Sequence, residues 1–257
     1  MSKNFELMQQ AGNAPEVRPV RKVESSTPPA IFGNGGGNGH READVLDLNQ
    51  QAGEEVLRLV QRVFLLQAQE PPHLVVFAAI DHGSGCSRIC MRAAETLAKN
   101  TPSSVCLVEA NLRSPALPAM LGTTNHHGLT EALLQEGPIR SFAKPVRGDN
   151  LWLLSSGALA VDSANLLNSE RLKARFAELR KEFDFVLIDA PPLTRYSDAI
   201  AIAQLADGLV LVLEANSTRK EAALEVTNAL RSAQIQVLGA VLNKRTFPIP
   251  ESLYHRF

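Results

Sequence analysis

The sequence predicts an α/β protein built on a doubly wound, mostly parallel sheet flanked by helices. Two observations carry that prediction. Short, almost uninterrupted apolar runs recur from residue 74 onward, as expected of strands buried on both faces. Segments of helical period fill the gaps between them, and such alternation builds a parallel sheet with helices on both sides. Ligands on such sheets bind outside the carboxyl ends of the strands.

The elements follow in order. Residues 1–45 are poor in bulky apolar groups, and SSTPPAIFGNGGGNGH cannot bury enough surface to offset its chain entropy. This stretch is expected to be a disordered arm ahead of a domain over 46–247 and a short tail, 248–257. Within 46–70, Val56, Leu59, Val60, Val63 and Phe64 recur at helical spacing, and Pro71-Pro72 closes the segment. The strands are predicted at 74–79, 105–110, 151–154, 185–190, 209–215 and 237–243. Helices are predicted at 87–99, 128–136, 165–182, 197–206 and 217–233.

Bulk numbers narrow the function classes. A net charge of −1 lacks the basic excess of a broad nucleic-acid surface. Three cysteines in 257 residues make no disulfide framework and point to a reducing cytoplasm. No apolar run is long enough to span a bilayer, so a membrane role is expected to come through a partner.

Three strand ends carry chemistry. The first is HGSGCS, 82–87. Gly83, Ser84 and Gly85 let backbone N–H groups wrap a phosphate, and the N-terminus of the next helix favours negative charge. Ser87 stands where a P-loop hydroxyl binds Mg²⁺, but Cys86 occupies the lysine position of G-x-x-x-x-G-K-[ST]. Alone, the turn also fits an ordinary glycine connection. The second is VEANLRSP, 108–115, where Glu109 could position a water or metal and Arg113 could reach a phosphate. The third is FDFVLIDAPP, where four apolar residues run into Asp189. An acid at the tip of a buried strand is costly unless it binds something, and beside a P-loop it holds Mg²⁺ through water.

Residues 54–243 resemble the bacterial tyrosine kinases of exopolysaccharide synthesis, the CpsD/CapB type, within the MinD/ParA branch of P-loop ATPases. The resemblance rests on collinear segments: EANLRSP over the family's D-x-D-x-R-x-P, GLTEALLQEG, LLNSERLKARFAELRKEFDFVLIDAPP, SDAIAIAQLADGLVLVL and GAVLN. It implies a P-loop NTPase-like fold and ATP or ADP with Mg²⁺, supported by Ser87 and Asp189. It places Gly83 to Ser87, Arg88, Arg113 and Asn243 around the nucleotide, Asn243 near the adenine. It implies a membrane-bound polysaccharide chain-length or export protein as partner, and recruitment to the inner face of the membrane. Glu55, Arg58 and, shifted by one position, Arg62 resemble a self-association motif, E-x-x-R-x-x-R, which implies homo-oligomers.

The departures bear on activity. The P-loop lysine is Cys86, the first acid of D-x-D is Glu109, the second is the uncharged Asn111, and the family's tyrosine cluster is reduced to Tyr254, with Tyr196 the one other tyrosine. Arg88 lies two positions beyond Cys86 and is expected to face away from the phosphate. Losing a charge-assisted phosphate contact worth roughly 1.5–3 kcal/mol weakens nucleotide binding by about one to two powers of ten. The expectation is a catalytically impaired, regulatory kinase-like protein. The alternatives are an active tyrosine autokinase using Tyr254 or Tyr196, and a MinD/ParA-like positioning ATPase. A thiol at a helix N-terminus has a lowered pKa, so Cys86, one turn from Cys90, is a candidate redox site, but the favoured reading is two small residues filling space. Without C-x-x-C spacing, zinc binding is not expected.

Overall fold

The computed structural model describes residues 53–66, 71–158, 166–167 and 170–245. The predicted arm, the tail with Tyr254, and the outer parts of the 46–70 segment lie outside the described residues.

Among the described residues seven strands form one sheet in the order β3-β4-β2-β5-β1-β6-β7. They are β1 (Leu74–Ala79), β2 (Val105–Glu109), β3 (Lys144–Arg147), β4 (Leu151–Leu154), β5 (Phe185–Asp189), β6 (Gly208–Glu214) and β7 (Val237–Asn243). All pairings are parallel except β3 with β4. The antiparallel β3, KPVR, was not expected: it is a four-residue edge strand with charged ends and a proline, so it lacks the apolar run that marks the others.

The helices are α1 (53–60, continuing as a π-helical turn Gln61–Leu65), α2 (Cys86–Asn100), α3 (Leu117–Met120), α4 (Leu129–Leu134), α5 (Glu170–Glu182), α6 (Asp198–Ala203) and α7 (Lys220–Ser232). Two apolar layers result. One face of the sheet packs α4, α5, α6 and α7 through Leu133, Phe176, Ile202 and Leu230. The other packs α1 and α2 through Val60, Phe64, Ala93 and Leu97. Every residue of β1, β2 and β5 is buried, which explains their unbroken hydrophobicity.

Side chains lock the lower edge, where the strands start. Asp207 accepts from the His73 and Leu74 amides, each at 2.8 Å, and pairs with Arg180 of α5. Asp184 accepts from the Ser104 amide and hydroxyl at 2.7 and 2.8 Å. This lower frame fixes where β1, β2, β5 and β6 emerge at the upper edge.

Candidate nucleotide site

The loop between β1 and α2 turns on two glycines in the left-handed region, Gly83 at φ 86° and Gly85 at φ 83°. Side chains disfavour that conformation, so glycine is needed at both positions. Gly85 caps α2, whose first residue is Cys86. The loop is braced on all sides. The Ser84 hydroxyl donates to the Asp81 carbonyl at 2.9 Å. Thr194 donates its hydroxyl to the Ile80 carbonyl at 2.7 Å. From β7, the Asn243 amide donates to the Ser84 carbonyl at 2.8 Å. A Cβ on Gly85 would lie 2.4 Å from Asn243 Nδ2, so this glycine also makes room for the asparagine.

Asp189 ends β5 directly beside this loop. It is 1% exposed, and neither carboxylate oxygen has a hydrogen-bond partner. Burial pushes its pKa up to about 6, against the nearby Ser87 hydroxyl and Cys86 thiol, which pull it down without completing a hydrogen bond. Glu109 is its register partner on β2. Glu109 is fully buried, and its Oε1 accepts from the Ala116 and Leu117 amides at 2.6 and 3.2 Å, capping α3. Its Oε2 has no partner. Burial raises its pKa to about 8, Asp189 pushes it further up, and the two amides oppose the rise.

The thiols lie in surroundings that oppose ionisation. Burial first, then the Asp189 charge, raises both Cys86 and Cys90 well above the ordinary thiol value. The helix N-terminus loses to desolvation and a carboxylate, so the thiolate is disfavoured and the redox reading of Cys86 falls. The Cys86 side chain instead packs on the α2 side of the core.

The remaining predicted residues separate into two groups. Ser87 is half-buried near Asp189 and Asn111 is buried beyond β2, its carbonyl accepting from the Ser114 amide. Arg88 is exposed. Arg113, expected to reach a phosphate, is engaged elsewhere: it pairs with the buried Asp198 at 3.2 Å and covers the Tyr196 ring at 4.5 Å. Glu55 and Arg58 form an exposed ion pair on α1 at 2.8 Å, and Arg62 is exposed in the π-helical turn. Asp198, the partner of Arg113, was not singled out in the sequence, although it lies in the SDA segment.

The donor set can be weighed against a nucleotide with Mg²⁺. A glycine loop leading into a helix N-terminus, an adjacent hydroxyl and an orphaned buried carboxylate suit the phosphates and the metal's water shell. The position for a phosphate cation holds a thiol. The residues therefore fit the metal side of the ligand better than its phosphate side.

Comparison with known proteins agrees with this fold. The ParA family model, described as the NUBPL iron-transfer P-loop NTPase, matches residues 72–255. The chain belongs to the ParA family of P-loop NTPases. Its sequence relatives include bacterial tyrosine-protein kinases: YwqD of Bacillus subtilis is 32% identical over 139 residues, 54% of this chain and 59% of YwqD. The chain thus spans less than two thirds of the length of that relative. Among solved structures, the chimerical protein CapA2B2 superposes with a TM-score of 0.71 at 20% identity, over 76% of this chain and 85% of that one. The VpsO kinase domain superposes at 0.69 and 24% identity, covering 77% of this chain and 99% of the domain. These likenesses establish the fold.

Proposed function

We propose that this ParA-family protein is a nucleotide-responsive, catalytically impaired member of the tyrosine-kinase group. It acts in exopolysaccharide or capsule synthesis at the cytoplasmic face of the membrane, docked on a membrane-embedded chain-length or export protein. The observation that carries the reading is Asp189, buried with both oxygens unpartnered beside a glycine loop whose lysine position is Cys86. An orphaned buried carboxylate is expensive to keep without a ligand. Ser87 and Asp189 would hold Mg²⁺, and the backbone of Gly83 to Cys86 would hold the phosphates. The bound metal would supply positive charge next to the phosphates. Nothing in the loop supplies the lysine charge, and Arg113 is already committed to Asp198. Losing one such stabiliser typically costs about 10²–10³ in rate. Among the described residues no helix is long and apolar enough to cross a membrane, which fits docking on a partner.

Titration calorimetry with Mg·ATP and Mg·ADP on the natural protein and on Cys86→Lys tests this. Cys86→Lys should bind about 10–100-fold tighter. Equal affinity of the two proteins, or efficient tyrosine autophosphorylation by the purified natural protein, would overturn the proposal.

One observation favours an active autokinase instead. Tyr196 follows β5 on the segment that braces the glycine loop, and the Arg113 guanidinium lies over its ring. Phosphate transfer to Tyr196 that disappears in Asp189→Asn would establish that reading.

A further inference from the structure

The segment that follows β5 runs along the entrance to the glycine loop. The Leu193 amide donates to the Ala79 carbonyl at 2.9 Å and the Thr194 amide to the Ile80 carbonyl at 3.2 Å. The Thr194 hydroxyl, bonded to Ile80, also lies 3.0 Å from a carboxylate oxygen of Asp81. The Arg195 amide closes a turn on the Pro192 carbonyl at 3.3 Å, and Pro191 and Pro192 restrict the backbone ahead of it. Arg195 thus stands on a braced turn, one residue from a direct bond to the loop.

Arg195 is uncommitted. It is exposed, and among the described residues its guanidinium makes no hydrogen bond or ion pair. The other cations beside the loop are engaged or turned away. Between Ile80 and Ser87 there is no lysine or arginine. Arg113 pairs with Asp198 at 3.2 Å. Lys244, next to the bracing Asn243, pairs with Glu214 at 3.1 Å. Arg88 is exposed two positions beyond Cys86, which packs on the core side of α2, and residues two apart on a helix do not share a face.

Given the nucleotide reading of this site, on which the assignment rests, we propose that Arg195 is its phosphate-binding cation, delivered from the β5 segment to the place where Cys86 leaves no charge. The ligand class is the polyphosphate of a nucleoside di- or triphosphate. A planar guanidinium offers paired N–H donors that match phosphate oxygens, and its jointed stem lets it fold over the loop. Asp189 and Ser87 stay with the metal, so the two positive charges approach the phosphates from different elements. A lysine at the start of α2 would be held in place beforehand, whereas an exposed arginine must be ordered when the ligand arrives. Arg195 therefore restores binding more than rate, in keeping with an impaired kinase.

Titration calorimetry with Mg·ATP on four versions of the full chain tests the assignment: the natural protein, Arg195→Ala, Cys86→Lys and the double variant. In the natural background Arg195→Ala should weaken binding about five- to ten-fold. In the Cys86→Lys background, where the lysine already holds the phosphates, the same change should cost less than about two-fold. A residue that merely shapes the turn would cost the same in both backgrounds. Equal losses, or no loss in the natural protein, would overturn the role of Arg195 and leave the nucleotide site standing. Failure of both the natural protein and Cys86→Lys to bind Mg·ATP would overturn the nucleotide reading, and this assignment with it.

Discussion

Where the strands start, Asp207 collects two main-chain amides and the Arg180 guanidinium, and Asp184 collects the amide and hydroxyl of Ser104. Where the same strands end, Asp189 has no partner and Glu109 leaves one oxygen bare. The pKa directions follow. Burial alone would raise Asp207, but Arg180 and the amides outweigh it and hold it below the ordinary carboxylate range. The Ser104 amide and hydroxyl lower Asp184. At the other end burial prevails, and Asp189 and Glu109 rise to about 6 and about 8. One sheet thus holds two kinds of acid. The lower pair is satisfied by the fold itself and contributes to stability. The upper pair is left wanting, and a ligand that brings positive charge would relieve it.

The largest expected effect lies at the lower end. Asp207→Ala removes the anchor shared by the start of β1 and by α5, leaving two amides and a half-buried guanidinium without their acceptor. It should cost about 2–3 kcal/mol in urea unfolding. Mg·ATP affinity, measured where the variant is still folded, should stay within two-fold. A large fall in affinity at unchanged stability would erase the distinction between the ends.

Next comes Asp189→Asn, with the opposite sign. Removing a buried unpaired charge should raise the stability of the ligand-free protein by about 1–2 kcal/mol above pH 7 and abolish any further gain from Mg²⁺ with nucleotide. The pH dependence fixes the sign. Asp189 and Glu109 have folded pKa values above their unfolded values near 4, so between about pH 4 and 8 the native state holds more protons than the unfolded one. Their contribution is fully present below that window and falls as pH rises through it. The lowered Asp184 and Asp207 contribute above the ordinary carboxylate pKa and lose that contribution only as pH drops through their folded values. Urea midpoints should therefore decline from about pH 5 to 8, and Asp189→Asn with Glu109→Gln should flatten the decline. A profile unchanged by the double variant would count against the whole contrast.

How much of this was readable beforehand depends on the residues concerned. The central strands were legible because burial on both faces leaves an unbroken apolar run such as LVVFAA or FVLID. Asp189 and the glycine turn were legible because an acid after such a run, and glycines before a helix, are local patterns. The edge strand KPVR and the four-residue helix LPAM carry no such pattern. Contacts between distant segments could not be read. The Asn243 bond to Ser84 spans 159 positions, and the Arg113 to Asp198 pair spans 85. What opposes a reactive Cys86 was hidden for the same reason. Its helix N-terminus is local and visible in sequence, whereas the burial and the Asp189 carboxylate that oppose ionisation come from packing against distant segments.

Asn243→Ala should have a smaller effect than either acid. One hydrogen bond to the Ser84 carbonyl is lost, at about 0.5–1.5 kcal/mol. Because that bond pins the glycine loop, affinity for Mg·ADP should fall along with stability, which separates it from Asp207→Ala. A loss of stability with unchanged nucleotide affinity would move Asn243 from the upper group to the framework.

The smallest effect is expected on α1, and it calibrates the others. Arg58 pairs with Glu55 at 2.8 Å and Glu54 at 3.6 Å, but its side chain is 61% exposed. Solvent screening and side-chain entropy leave such pairs worth about 0.3–0.5 kcal/mol. Arg58→Ala should therefore barely move the unfolding midpoint. If α1 mediates self-association, the variant should instead show in solution mass, measured by light scattering across concentration. A stability loss above about 1 kcal/mol in monomeric protein would mean that this exposed pair is as firmly built into the fold as Asp207, and that exposure is a poor guide to which charges the framework uses.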